Sequence, residues 1–220
     1  MPTQAIAAYG TELRMGNGVA LSAVTVIAAT NANPIVITTS PAHGVTDVTW
    51  GTVVGVGGNT AANGGWVVER VTNTTLKLRG SVGNGSYTTG GTFTPSNTFT
   101  RIAELVNLEP IGMTFRMVDC SAHDGSGWSS SIPTAKEGPA MRLTINLVPE
   151  HVTHDKTTGL LALALGKLER EWLVVFPDAG RATLHLAGWI TAHTSVTPVD
   201  GVLRANPVLT PDGQIVFSHG

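Results

Sequence analysis

The chain has 220 residues, enough for one large or two small domains, and its formal net charge is −2 at pH 7. Only 13% of the residues are charged, against about 25% in typical soluble domains, which predicts that other molecules cover much of the surface. Because the chain has no basic excess and no run of Lys and Arg, ordinary DNA binding is disfavoured.

The redox and targeting signals favour a cytoplasmic site of synthesis. The single cysteine, Cys120, cannot form an internal disulfide. The first residues lack the basic start and apolar core of a signal peptide, and no apolar run reaches the roughly 20 residues that span a bilayer. We therefore expect a protein that is made and folded in a cytoplasm and has no membrane partner.

Glycine-rich turns alternate with short strand-like runs over residues 55–91. Neither of the common phosphate-binding patterns, G-x-G-x-x-G and G-x-x-x-x-G-K-[ST], occurs there, and strands rather than helices follow the glycines, so a nucleotide site is disfavoured. Instead, four sites are predicted to supply the positive φ angles of tight antiparallel turns. They are Gly57-Gly58-Asn59, Asn63-Gly64-Gly65, Asn84-Gly85 and Gly90-Gly91.

The composition changes near residue 25 and changes back near residue 96. Between these points lie only five charged residues, which are Asp47, Glu69, Arg70, Lys77 and Arg79. Polar, turn-rich segments at 31–34 and 94–97 bound the stretch. This pattern predicts an inserted β module at 25–96 that forms one small sheet, within a discontinuous domain made of residues 1–24 and 97–220.

Strand signals dominate the rest of the chain. The most regular is 140–148, where Met141, Leu143 and Ile145 alternate with polar residues, as in a half-buried antiparallel strand. Further strands are predicted at 102–108, 113–118, 171–176, 182–193 and 214–217. One helix is predicted from an N-cap at Asp155 or Thr157 to Glu169. The fold class is therefore all-β with one flanking helix.

Two clusters of reactive side chains are candidate sites. His151, His154 and Asp155 would share a helix face and could bind a metal, but Pro149 precedes them and the helix is predicted to begin after them. The cluster Asp119-Cys120-Ser121-Ala122-His123-Asp124 holds a nucleophile, a base and carboxylates, but adjacency in sequence is not triad geometry. We assign no catalytic, metal or cofactor residue and expect a protein that is not an enzyme; a hydrolase remains an alternative that a substrate panel would detect.

The order of several segments resembles that of the major tail tube proteins of bacteriophages with long, non-contractile tails. The resemblance covers 1–24 and 97–220. It rests on Ile132-Pro133-Thr134-Ala135-Lys136-Glu137-Gly138, Phe176-Pro177-Asp178 and Pro198-Val199-Asp200-Gly201, which occur together and in the order of that family. The glycine-rich stretch resembles a small β module of phage tail and fibre proteins, through His43-Gly44, the 58–66 segment and the 83–91 segment.

The resemblance implies a β-sandwich, or tube-type barrel, with a flanking helix, assembled as hexameric rings that stack into a hollow tail tube. Its expected partners are further copies of the chain and the tape measure, terminator and baseplate proteins. DNA would pass through the lumen without specific binding. The virion tail, assembled in the host cytoplasm, would be the location of the protein.

The 118–138 segment is predicted to be an extended loop or hairpin that contacts the next subunit. The predicted interface residues are Trp128, Ile132, Pro133, Lys136 and Glu137, with Trp128 and Ile132 as apolar anchors. Removing residues 125–131 is expected to leave a folded subunit that does not stack.

The 25–96 module is predicted to decorate the outside of the tube and to be replaceable by a short Asn-Gly turn. The module would either attach to cell surfaces or form contacts between rings, and the sequence does not choose between these roles.

Other functions of the whole protein also remain open. One is a carbohydrate-binding or adhesive β domain, although the five tryptophans are spread along the chain and are expected to pack in cores or interfaces. Others are a tail terminator, a baseplate tube protein or the tube of a gene transfer agent.

Overall fold

The computed structural model describes residues 9–121, 128–177, 182–197 and 200–218. Over these ranges the chain is mostly β with one α-helix, which confirms the predicted fold class. Some residues of the predicted sites and motifs lie outside the described ranges: Ala122, His123, Asp124, Gly125, Ser126, Gly127, Asp178, Pro198 and Val199. No helix within the described ranges is long and apolar enough to cross a membrane.

The strands in the first half of the chain are β1 (Glu12–Gly16), β2 (Val24–Ala29), β3 (Val36–Ser40), β4 (Val48–Val54), β5 (Gly64–Arg70), β6 (Thr75–Leu78), β7 (Thr92–Pro95) and β8 (Phe99–Arg101). Those in the second half are β9 (Leu105–Glu109), β10 (Thr114–Asp119), β11 (Ser131–Glu137), β12 (Met141–Asn146), β13 (Glu169–Val175), β14 (Thr183–Val196) and β15 (Arg204–Ser218), with helix α1 (Leu160–Gly166) before β13. A seven-stranded sheet has the order β8-β1-β13-β14-β15-β12-β9.

The chain divides into two compact units. The first contains the residues up to 102, residues 170–186 and those from 216 onwards; the second contains 103–169 and 187–215. The first unit therefore holds strands β1 to β8 together with most of β13. The second holds β9 to β12, the helix and most of β14 and β15.

Strands β2 to β7 of the first unit form a closed six-stranded barrel in the order β2-β3-β6-β5-β4-β7. The barrel runs from Val24 to Pro95, so it begins and ends one residue earlier than the predicted 25–96 module. It is a closed barrel and not the one small sheet that was expected. Apolar side chains fill it, among them Val26, Ile35, Ile37, Val53, Val68, Leu76, Leu78 and Phe93.

The outer face of the barrel shares an apolar cluster with the sheet strands of the same unit. Val48 and Val67 of the barrel pack with Leu173 and Val175 of β13 and with Phe99 of β8, and all five side chains are buried. Because these sheet residues rely on the barrel for part of their burial, the structure argues against the expectation that the module is a replaceable decoration.

In the second unit, β12 lies between β15 and β9. Its burial alternates as predicted, with Met141, Leu143 and Ile145 buried. The helix, however, is shorter than predicted: α1 begins at Leu160 after an N-cap at Gly159, and ends at Gly166. Lys167 takes the left-handed conformation (φ 49°, ψ 47°), which stops the helix before β13 begins at Glu169.

Asp155, one of the two predicted N-caps, closes the turn before the helix instead. Its Oδ1 accepts hydrogen bonds from the backbone N–H groups of Thr157 (3.1 Å), Thr158 (2.8 Å) and Gly159 (2.8 Å). A side chain at Gly159 would place its Cβ 2.5 Å from the Asp155 backbone nitrogen. Glycine is therefore required for the close approach of the backbone in this turn.

The hydrogen bonds of Asp155 should make the free energy of unfolding depend on pH. The hydrogen bonds from the Thr158 and Gly159 N–H groups lower the pKa of the Asp155 carboxyl below its ordinary value. A lowered pKa in the folded state stabilises the fold above the unfolded-state pKa of about 4, and this contribution is lost as the pH falls through the folded-state pKa. We expect Asp155→Asn to be less stable than the wild type at pH 7 and the difference to shrink below about pH 4. Urea unfolding over a pH series measures it; a constant difference down to low pH would contradict the assignment.

Candidate assembly surface

Strands β10 and β11 form a separate two-stranded antiparallel hairpin in the second unit. Thr114 pairs with Glu137 at its base and Asp119 pairs with Ser131 at the far end, with a register shift between Phe115 and Met117. Every residue of both strands is exposed. Two-stranded hairpins are at best marginally stable in water, so one whose residues all remain exposed favours contact with a further partner.

Several exposed residues of this hairpin are large and apolar. The exposed fractions are 54% for Phe115, 55% for Met117, 47% for Val118 and 55% for Ile132, and Met113 just before β10 is 56% exposed. Large apolar side chains gathered on a protruding element mark an interaction surface more often than scattered ones do. We call β10, β11 and Met113 the hairpin surface.

The five predicted interface residues all lie on or beside β11, and all are exposed. Ile132 pairs with Val118, Pro133 with Met117, Lys136 with Phe115, and Glu137 with Thr114. Trp128 precedes the strand and is 86% exposed. The hairpin is one of the two forms predicted for 118–138, but the contact with a next subunit stays a prediction.

Sequence reasoning missed the contribution of β10 to the hairpin surface. It predicted a strand at 113–118 but assigned none of its residues to an interface. Arg116 was also missed: it forms an ion pair of 2.6 Å with Glu137 across the hairpin. The signal was present, because apolar residues recur at 113, 115 and 117 with polar residues between them, and Val118 adds a further apolar residue.

The described part of the 119–124 cluster forms hydrogen bonds at the far ends of β10 and β11. Asp119 Oδ1 accepts hydrogen bonds from the Ser121 backbone N–H (2.8 Å) and hydroxyl (2.5 Å), and these bonds lower the pKa of the Asp119 carboxyl. The Ser121 hydroxyl oxygen accepts from the Ser130 N–H (2.9 Å). Cys120 Sγ lies 3.4 Å from the Ser130 carbonyl oxygen. These contacts join the ends of β10 and β11 near the tip.

The histidines near the helix are used in local structure. His154 is buried, and its Nε2–H donates to the Ala103 carbonyl (2.9 Å) while Nδ1 accepts from the Val148 N–H (3.1 Å). His151 Nδ1 accepts from the Thr153 N–H (3.2 Å). With both ring nitrogens of His154 occupied, it is not available to a metal. Within the described ranges, no group of three or more His, Cys, Asp or Glu residues could hold a metal ion.

A pocket of about 220 Å³ lies in the first unit. It is lined by Trp50, Gly65, Trp66, Val67, Arg79, Gly80, Val216, Phe217 and Ser218. The Trp50 ring stacks on His185 at 4.6 Å, and a Cβ at Gly65 would lie 2.5 Å from Trp50 Cζ2. The Trp66 indole N–H donates to the Ala62 carbonyl (2.8 Å). Both indoles are thus held in packing, as predicted for the tryptophans, and Trp50 has little free ring face for a sugar.

No protein-family model matches the chain, and no curated protein matches it.

Proposed function

We propose that this protein is a structural subunit that assembles with copies of itself through the hairpin surface, and that the assembly is a stack of hexameric rings forming a phage-type tail tube. The tube would join tape measure, terminator and baseplate proteins and conduct DNA through its lumen without gripping it. The observation that carries the proposal is the exposed apolar hairpin.

The hairpin supports self-assembly because its apolar residues cost free energy in water. Burying an exposed side chain of the size of Phe, Met, Val or Ile contributes about 1.5–3 kcal/mol. Because Phe115, Met117, Val118 and Ile132 are 47–55% exposed, a partner that covered them would recover about half of that contribution for each. Part of that gain is offset by the translational and rotational freedom lost on association.

The charge content agrees with a subunit surrounded by others. Interface centres are depleted of charged residues, and the chain is only 13% charged. The weakly acidic net charge of −2 is compatible with a lumen that does not retain nucleic acid, since binding of a phosphate backbone depends on Lys and Arg.

A triple variant of the hairpin tests the proposal. Phe115→Ser, Val118→Ser and Ile132→Ser together should abolish assembly while leaving the monomer folded, because all three side chains are exposed in the isolated chain. Sedimentation velocity at increasing concentration should show large particles for the wild type and a single slow species for the variant.

The matched control changes three exposed apolar residues of the barrel. Ile27, Val54 and Val71 are 51%, 58% and 57% exposed, so their replacement by Ser removes comparable apolar surface. This control should still assemble. A wild-type protein that remains monomeric at high concentration, or a hairpin variant that assembles as the wild type does, would contradict the proposal.

A further inference from the structure

Asparagine is followed by glycine at three places in the chain, which are Asn17-Gly18, Asn63-Gly64 and Asn84-Gly85. In this dipeptide the backbone nitrogen of the glycine can attack the side-chain amide carbon of the asparagine, because glycine has no Cβ to hinder the approach. The three asparagines have different surroundings in the folded chain, so this reaction should not be equally easy at each.

Asn63 and Asn84 are each held by both ends of the side-chain amide. Asn63 Oδ1 accepts from the Val56 N–H (2.9 Å), and its Nδ2 donates to the Val56 carbonyl (3.0 Å). Asn84 Oδ1 accepts from the Ala61 N–H (3.0 Å), and its Nδ2 donates to the Thr60 hydroxyl (2.9 Å). Because these partners lie at least seven residues away along the chain, each asparagine has to break two hydrogen bonds before its amide can turn towards the glycine that follows it.

Asn17 is held by one end only, and by a group close to its own glycine. Its Oδ1 accepts from the Val19 N–H (3.0 Å), which folds the amide over the peptide bond between Asn17 and Gly18. Among the described residues, no hydrogen bond holds Nδ2 of Asn17, and Asn17, Gly18 and Val19 are all exposed to water. The Val19 N–H is also placed to stabilise negative charge on Oδ1, as the donors of an oxyanion hole do.

The guanidinium of Arg170 lies against Gly18. A Cβ at Gly18 would lie 2.7 Å from Arg170 Cζ and 2.8 Å from Nη1, and Gly18 has a positive φ of 73°. A side chain at this position would therefore be blocked as well as strained. A cation beside Gly18 stabilises the negative charge that forms when the Gly18 nitrogen loses its proton.

We propose that Asn17 is a site of self-modification, at which the chain converts its own asparagine into aspartate or isoaspartate with water as the co-reactant. The Gly18 nitrogen bonds to Cγ of Asn17, the Cγ–Nδ2 bond breaks, and ammonia leaves with the proton of the Gly18 amide. The product is a cyclic succinimide. Water then adds to one of the carbonyl carbons of the ring and opens it.

The modification would change the segment that leads into the barrel. Asn17 lies between β1 and β2, and its backbone N–H donates to the carbonyl of Thr98 (3.0 Å), just after the barrel ends. Either product carries a new negative charge beside Gly18, the residue against which Arg170 lies. Isoaspartate also adds one atom to the backbone before Gly18. We therefore expect modified chains to differ in charge and in the local structure of this segment.

Peptide mass spectrometry can measure the three rates in one sample, so that each asparagine serves as a control for the others. Wild-type protein is incubated in mildly alkaline buffer, folded in one series and unfolded in urea in another. In urea the three sites should react at similar rates, because they share the same dipeptide. In the folded protein Asn63 and Asn84 should react about tenfold more slowly than in urea, since each hydrogen bond that has to break adds to the barrier. Asn17 should react at least as fast as in urea.

Two variants, checked for folding by circular dichroism, complete the experiment. Asn17→Gln should give no product at this position, and Arg170→Gln should slow the reaction at Asn17 while leaving Asn63 and Asn84 unchanged. A folded-state rate at Asn17 no higher than the rates at Asn63 and Asn84 would overturn the proposal. An unchanged rate at Asn17 in Arg170→Gln would show that the guanidinium plays no part in the reaction.

Discussion

Replacing residues 24–95 with a short Asn-Gly turn should prevent the chain from folding into a stable subunit. The replacement exposes Phe99, Leu173 and Val175, which now pack against the barrel. At about 2 kcal/mol for each buried side chain, the loss is about 6 kcal/mol, and whole domains are stable by only about 5–15 kcal/mol. Arg14, which pairs with Asp47 of the barrel segment at 2.5 Å, would also lose a partner.

Far-ultraviolet circular dichroism with thermal unfolding measures this effect. Leu173→Ala in the full chain gives an independent reading of the same cluster and should cost about 2–5 kcal/mol. Val71→Ala, at an exposed position of the barrel segment, is the control and should change stability little. A soluble replacement variant that unfolds cooperatively near the temperature of the full chain would restore the view of the barrel as a dispensable decoration.

Arg79→Met should destabilise the protein by about 3 kcal/mol, at the low end of the range for breaking a buried ion pair. Arg79 is 1% exposed, and its guanidinium donates to Glu69 (3.0 Å) and to the Thr183 hydroxyl (2.8 Å). The Ser218 hydroxyl donates to the Arg79 carbonyl (3.3 Å). Methionine keeps much of the length of the Arg79 side chain, but it removes the guanidinium that pairs with the Glu69 carboxylate. The Glu69 side chain is 28% exposed, so water offsets part of the cost.

Denaturant unfolding measures the free energy of unfolding of Arg79→Met and of Arg70→Met. Comparing the two variants separates the effect of breaking a buried ion pair from the effect of removing a positive charge. Arg70 lies on the same strand as Glu69 but is exposed, so its replacement removes the same charge without opening a buried pair. We expect Arg70→Met to stay within about 0.5 kcal/mol of the wild type. Equal losses for the two variants would show that the burial of the Arg79 ion pair adds nothing to the effect of losing the charge.

Local patterns in the sequence predicted an element well where its apolar residues recur at one regular spacing. The alternation at 140–148 gave β12 because one of its faces is buried and the other is not. Among the turn glycines, Gly58, Gly64, Gly90 and Gly91 do have positive φ. Gly65 is needed for a different reason, since it gives room to Trp50, and sequence spacing carries no sign of such a contact.

Features that depend on distant contacts were not predictable in the same way. Closure of the barrel needs β2 to pair with β7 and β3 with β6, and no local pattern encodes which edges meet. The helix was predicted too long because its leucines continue to Leu168, whereas the Asp155 turn and the left-handed Lys167 set its ends. The hairpin was half predicted: its apolar anchors were recognised on or beside β11, but the apolar residues of β10 were not assigned to an interface.

Electron microscopy of the purified wild-type protein at increasing concentration tests the central claim most directly. The account predicts hollow tubes of stacked rings with sixfold symmetry, formed without added partners, and their absence from the hairpin triple variant under the same conditions. Particles that remain single subunits at the highest concentration, or tubes that the hairpin variant forms equally well, would contradict it.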